Sequence, residues 1–171
     1  MNKQLHQFFT NDHRRLEKLL TASTEMPGSV EMEPYNTFRP GLLKHIKMEE
    51  KVLFPAAQKA NGGAPLPLAA KLRLDHAALT SLMVLTPNAA LIKVLWHILE
   101  KHDLIEEEPG GMYDVCSSLT EKETEALLEQ LSNMSEVPVH SFNDSPFTFD
   151  AARRSLARAG YDFDAIVADN E

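Results

Sequence analysis

Four stretches of this 171-residue chain place apolar side chains three and four residues apart, and each line is interrupted by histidine. The first carries His6, Phe9, His13, Leu16 and Leu20. The second carries Phe38, Leu42, His45, Glu49, Val52 and Ala56. The third carries Leu68, Leu72, His76, Leu79 and Met83, and the fourth Leu91, Leu95, Ile98, His102, Ile105 and Glu106. Such spacing puts the members of each line on one face of a helix. The breakers "MPGS", "NGGAPLP", "TPN" and "PGG" separate the four. Pro40 is expected near the start of the second helix, where a missing N–H costs least, and Pro55 is expected to kink its end. The reading is all-α: an up-down-up-down four-helix bundle with additional C-terminal helices.

Beyond residue 115 the pattern weakens. A fifth helix is expected over about Thr120–Ser132, with Thr120 and Glu123 forming a capping box. A further short helix is expected from an Asp150 cap to Gly160. The chain then divides into a bundle over residues 1–115 and a helical extension over residues 116–171. The aromatic residues Phe142, Phe147, Phe149, Tyr161 and Phe163 predict that the extension packs, either on its own bundle or on a second subunit in a homodimer.

Composition narrows the function. A net charge of −8 argues against nucleic acid or anionic membrane as the main partner, since both demand a basic footprint. No apolar run approaches the ~20 residues that span a bilayer. The start of the chain lacks a signal peptide's apolar region, so a cytoplasmic location is expected. The single cysteine, Cys116, excludes an internal disulfide and any CxxC motif.

The chain also repeats itself. "DHRRL" at 12–16 echoes "DHAAL" at 75–79, and "HIKMEE" at 45–50 echoes "HDLIEE" at 102–107. Two helical hairpins related by a pseudo-two-fold axis would bring both pairs to one place. Taken singly, a histidine on an apolar line reads as a hydrogen-bonded core residue. Taken together, all four helices place one there, and two add a glutamate one turn later on the same face. Four imidazoles and two carboxylates then meet inside the bundle. Burying them unpaired would cost several kcal/mol each.

Divalent metal satisfies such a set, because imidazole nitrogen and carboxylate oxygen suit Fe, Zn, Mn or Ni. Six protein ligands are too many for one tetrahedral Zn²⁺ and about right for two metals. Two histidines per ion, with Glu49 and Glu106 bridging and a solvent-derived bridge, leave one open position on each. O₂, NO or peroxide would bind there. Ferritin-like di-iron sites use Glu-x-x-His instead, so the nitrogen-rich set here points away from that class.

The segments "NDHRRLEKLL", "LLKHIKMEEKVLFPAA", "LDHAALTSLM" and "LEKHDLIEEEPGGMY" resemble the hemerythrin-like HHE cation-binding domain over roughly residues 5–115. The resemblance implies that His13, His45, His76 and His102 are terminal ligands and that Glu49 and Glu106 bridge. It implies two non-haem iron ions with an oxo or hydroxo bridge. Oxygen-carrying hemerythrins have a second histidine where Thr80 stands, and end with His-x-x-x-x-Asp. The four-His, two-Glu set is more similar to the bacterial iron-centre repair branch; members of that branch commonly add a small cysteine-bearing N-terminal domain, which is not expected here.

The leading expectation is therefore a di-iron protein that binds or senses O₂ or NO, or handles iron, rather than an enzyme. No catalytic residue beyond the ligands is assigned. Peroxidase-like, ferroxidase or repair chemistry, and an interaction module with a Zn or vestigial site, are the alternatives. Glu17 is expected to be salt-bridged or solvated. Thr80 is a candidate for holding water at the open position. His6 is a candidate for lining a route inward. Glu50 is expected outside the ligand set, backing it or on the surface, while His97 and His140 are expected to be peripheral and Cys116 to be a buried apolar residue.

Overall fold

Prolines and glycines decide where this chain stops its helices. The computed structural model describes residues 3–169, and among them there is no strand. The helices are α1 (Gln4–Ala22), α2 (Met32–Met48), α3 (Phe54–Ala60), α4 (Ala69–Leu82), α5 (Ala89–Glu107), α6 (Met112–Leu119), α7 (Thr124–Ser132), α8 (Pro146–Ala159) and α9 (Phe163–Ala168). Among the described residues no helix is long and apolar enough to cross a membrane.

Several local expectations are corrected. Pro40 sits inside α2, well past its first turn, because the helix begins at Met32. Gly41 beside it lets α1 approach: a Cβ there would lie 2.9 Å from Leu16 Cδ2. Pro55 does not simply kink a helix end. A proline ring clashes with the carbonyl four residues back, here Lys51, and offers it no N–H. The chain widens into a π turn over Glu49–Leu53, closed by Phe54 N–H donating to the Glu49 carbonyl, and α3 restarts with Pro55 in its first turn. Such turns recur at functional sites.

The expected capping box does not form. Thr120 closes α6, its hydroxyl donating to the Cys116 carbonyl at 2.8 Å. A short 3₁₀ turn over Glu121–Glu123 precedes α7. Helix α8 starts earlier than expected: Ser145 caps it by accepting from Thr148 N–H, so Asp150 lies within it. Gly160 ends α8 with φ +90°, in the left-handed region where glycine carries no Cβ penalty.

The apolar interior falls into two clusters. One contains Leu16, Leu42, Ile46, Leu79, Leu82, Leu95 and Ile98; the other contains Phe9, Val52, Leu53, Phe54, Leu72 and Tyr113. Helices α1, α2, α4 and α5 each cross from one cluster to the other, α2 through its π turn. His13 lies between Phe9 and Leu16, His45 between Leu42 and Val52, His76 between Leu72 and Leu79, and His102 between Ile98 and Ile105. The direction of crossing alternates along the chain. A buried polar layer therefore sits between two oily ones.

The C-terminal helices pack on this same interior. Ala152, Leu156, Ala159, Tyr161 and Ile166 join the first cluster, with Phe142, Phe149 and Phe163 against it. Phe147 remains exposed. Buried Arg39 holds the segment before α8: its guanidinium donates to the carbonyls of Met83 and His140 and lies 4.1 Å over the Phe142 ring.

Candidate metal centre

The polar layer contains all six residues singled out above, and each is at most 4% exposed. Helix α1 supplies His13, α2 supplies His45, and the first residue of the π turn is Glu49. Helix α4 supplies His76, and α5 supplies His102 and Glu106 one turn apart. They form two sets of donor atoms, each within 4.8 Å of one another: His13, His45, Glu49 and Glu106; and Glu49, His76, His102 and Glu106. Glu49 and Glu106 belong to both.

Glu49 divides its oxygens between the sets. Its Oε1 lies 3.4 Å from His45 Nε2, and its Oε2 lies 3.1 Å from His76 Nε2. Glu106 offers Oε2 to both, at 3.4 Å from His13 Nε2 and 3.3 Å from His102 Nε2. The imidazoles face each other. His13 and His45 have their Nε2 atoms 2.9 Å apart, and His76 and His102 have theirs 3.2 Å apart.

Each histidine has a carboxylate at its other ring nitrogen. Glu107 Oε1 lies 2.6 Å from His13 Nδ1, Asp12 Oδ2 lies 2.9 Å from His45 Nδ1, and Glu50 Oε1 lies 2.8 Å from His76 Nδ1. Asp75 Oδ2 is 3.5 Å from His102 Nδ1, a longer contact. The first three carboxylates accept the Nδ1 proton and aim Nε2 at the centre, which is how metal-binding histidines are held; His102 Nδ1 and Asp75 Oδ2 face each other without a hydrogen bond. Sequence reading missed Asp12, Asp75 and Glu107 in this role. The available signal was the recurrence of the dipeptides DH and EE in both halves of the chain.

The donor set fits a cation. Two facing Nε2 atoms at such distances can share only one proton, whereas a metal ion accepts a lone pair from each. Glu106 Oε1 is buried without a hydrogen-bond partner, and Glu49 Oε2 makes none either, despite its 3.1 Å approach to His76 Nε2; leaving buried carboxylate oxygens unpaired is costly. Seven carboxylates, counting Asp103, surround four imidazoles. Burial alone would push the His13 imidazole down; hydrogen bonds to Glu106 and Glu107 and the charges of Asp103 and Glu106 override it and hold it up to about 10. Burial acts the same way on His45, but Glu49 and Asp12 outweigh it and raise it to about 9. Burial and the Glu106 and Glu49 charges keep the buried Tyr113 phenol protonated.

A cavity of about 10 Å³ touches the layer, lined by His13, Leu16, Glu17, Leu42, His45, Ile46, Leu79, Leu99, His102 and Asp103. That is about the room one water-sized molecule needs. Half-buried Asp103, whose buried Oδ1 has no hydrogen-bond partner, lines it, and burial raises its carboxyl to about 6.

The remaining residues fall outside the two sets. Thr80 is exposed and does not reach the layer. Glu17 is ion-paired with Arg14. His6 pairs with Asp114 at 3.0 Å. His97 stands edge-on to Tyr161 with ring centroids 6.0 Å apart, and His140 is exposed. Cys116 is a free, buried thiol.

Comparisons of the chain with protein-family models, with curated proteins and with solved structures find no match. An all-helical chain with two buried His/Glu sets, close enough to hold metal and compatible with a hemerythrin-like site, is what sequence and geometry together establish.

Proposed function

We propose that this chain is a hemerythrin-like di-metal protein, built on an up-down-up-down four-helix bundle within residues 1–115 and extended by the helices of residues 116–171. His13 and His45 would hold one ion, His76 and His102 the other, and Glu49 and Glu106 would join them. The alternating direction of α1, α2, α4 and α5 across the polar layer supports the bundle. The observation that carries the function is the sharing of Glu49 and Glu106 between two donor sets whose histidines are each backed by a carboxylate.

Iron is the proposed metal, with Zn and Mn suited to the same donors. An iron pair with an open position supplies affinity for O₂, NO or peroxide. The small cavity beside His13, His45 and His102 is the proposed place for such a molecule, and the side chains of Leu16, Leu42, Ile46, Leu79 and Leu99 in its wall favour a neutral one. Binding or sensing of a diatomic molecule in the cytoplasm is the reading, in preference to turnover. No nucleic acid or membrane partner is proposed. The acidic flanking residues hold and aim the imidazoles, and they offset the charge of two cations.

The test is metal analysis of protein purified in air and reconstituted with iron, followed by absorption spectra before and after NO. About two ions per chain and a spectrum altered by NO are expected. Fewer than about one and a half ions after reconstitution would overturn the two-metal reading.

A further inference from the structure

Tyr113 is in the polar layer, yet neither the apolar lines nor the repeat announces it. It enters from α6, and a glycine pair puts it there. Gly110 has φ +83°. A Cβ on Gly111 would lie 2.6 Å from the Ile105 carbonyl oxygen and 2.8 Å from that of Glu106. The chain therefore turns tightly over the end of α5, and α6 brings Tyr113 back against the site. Its ring stacks on Phe9 with centroids 5.1 Å apart, and it is 1% exposed.

The phenol oxygen meets every member of one donor set. It lies 2.6 Å from Glu49 Oε1, 2.9 Å from Glu106 Oε2, 3.0 Å from His13 Nε2 and 3.3 Å from His45 Nε2. The phenol has one proton to give, and both Glu49 Oε1 and Glu106 Oε2 can only accept, so even with both imidazoles donating to it, hydrogen bonding leaves one carboxylate contact unpaired. Donors that sit side by side around an ion with bonds of ~2.1 Å are about 3 Å apart. The four distances from Tyr113 match that edge length, as do the 2.9 Å between His13 and His45 and the 3.4 Å contacts within the same set. The oxygen is thus neighbour to all four others, as an apical donor is above a square of four.

The second set has no counterpart. Tyr113 follows Glu106 by seven residues, and the residue seven after Glu49 is Ala56. Phe54 instead lies parallel to His76, with centroids 6.2 Å apart. The internal repeat is broken at this point.

We infer that Tyr113 is a seventh protein ligand, whose oxygen completes the metal position formed by His13, His45, Glu49 and Glu106 and makes the two positions inequivalent. This rests on the di-metal reading. The phenol releases its proton to solvent as the ion takes that place. Among first-row ions, a phenolate favours the ferric state, so the His13–His45 position is the harder of the two to reduce.

The experiment uses the full chain loaded with iron and oxidised. Metal analysis comes first, then visible absorption and resonance Raman spectra. Wild type with two irons is expected to show a phenolate-to-iron charge-transfer band and phenolate vibrations. Tyr113→Phe should keep its iron and lose both signals, while Tyr35→Phe and Tyr161→Phe keep them. Two irons in wild type without phenolate vibrations overturn this inference alone, whether or not Tyr113→Phe folds. A wild-type chain that binds no metal overturns the di-metal reading and this inference with it.

Discussion

Oε1 of Glu50 lies 2.8 Å from Nδ1 of His76, so a carboxylate from the first half of the chain aims a histidine from the second. The reverse also holds: Glu107, after α5's Glu106, lies 2.6 Å from His13 Nδ1. Each half of the chain thus orients a histidine of the other. Glu50→Ala and Glu107→Ala are therefore expected to lower metal affinity by ~10–100-fold. Competition with a chelator measures this, and circular dichroism should show an unchanged helical signal. Wild-type affinity in both variants would mean that these carboxylates only decorate the surface.

Glu49 offers one oxygen to each donor set, so it should matter to both ions. Glu49→Ala is expected to bind less than about half the metal of wild type, because both positions lose a donor. His76→Ala should empty one position and spare the other, leaving about one ion per chain. Metal content per chain distinguishes the two. Equal retention of metal by both variants would contradict the shared role.

The pH dependence of stability should change sign with metal. In the metal-free chain the neighbouring carboxylates hold His13 up to about 10 and His45 up to about 9. An imidazole raised in this way contributes stability that is fully present below its ordinary 6.5 and is lost as pH climbs through its folded value. Thermal midpoints in chelator should therefore fall from about pH 7 to about pH 10. Metal binds neutral imidazole and displaces protons, so affinity should keep rising with pH up to about 10, where His13 and His45 have lost theirs. With ligand in ~1,000-fold excess over Kd, loading adds about 4 kcal/mol to stability. Identical pH profiles with and without metal would contradict this account.

Cys116 is buried in the second apolar cluster, and burial, together with the Glu49 and Glu106 charges, raises its thiol. Reactivity needs exposed thiolate. A thiol reagent at neutral pH should label the protein only on unfolding. Fast labelling of the native chain would show that α6 opens, and that the seat of Tyr113 is mobile.

The six residues that meet in the polar layer were legible because each sits on an apolar line, and two pairs repeat at i, i+4. The carboxylates behind the histidines were harder to read. Asp12 and Glu50 are each next to a layer residue in sequence but back a histidine on another helix. Only the pairing of α1 with α2 and of the π turn with α4 reveals this. Tyr113 was hidden because its position depends on the turn at Gly110 and Gly111, which periodicity does not describe. Thr80 failed as a water holder because the helix face it shares is exposed, while Leu79 beside it faces the core. The Thr120 cap failed because the Glu123 N–H that its hydroxyl would accept donates to the Thr120 carbonyl at 2.8 Å instead. The Pro55 turn was placed correctly along the chain, but its form followed from the stranded Lys51 carbonyl.

The most direct test of the central claim is anomalous diffraction at the iron edge from crystals of the loaded protein. Two peaks are expected, one within the His13–His45 set and one within the His76–His102 set, with Glu49 and Glu106 between them. A single peak, or iron bound away from these carboxylates, would contradict the account.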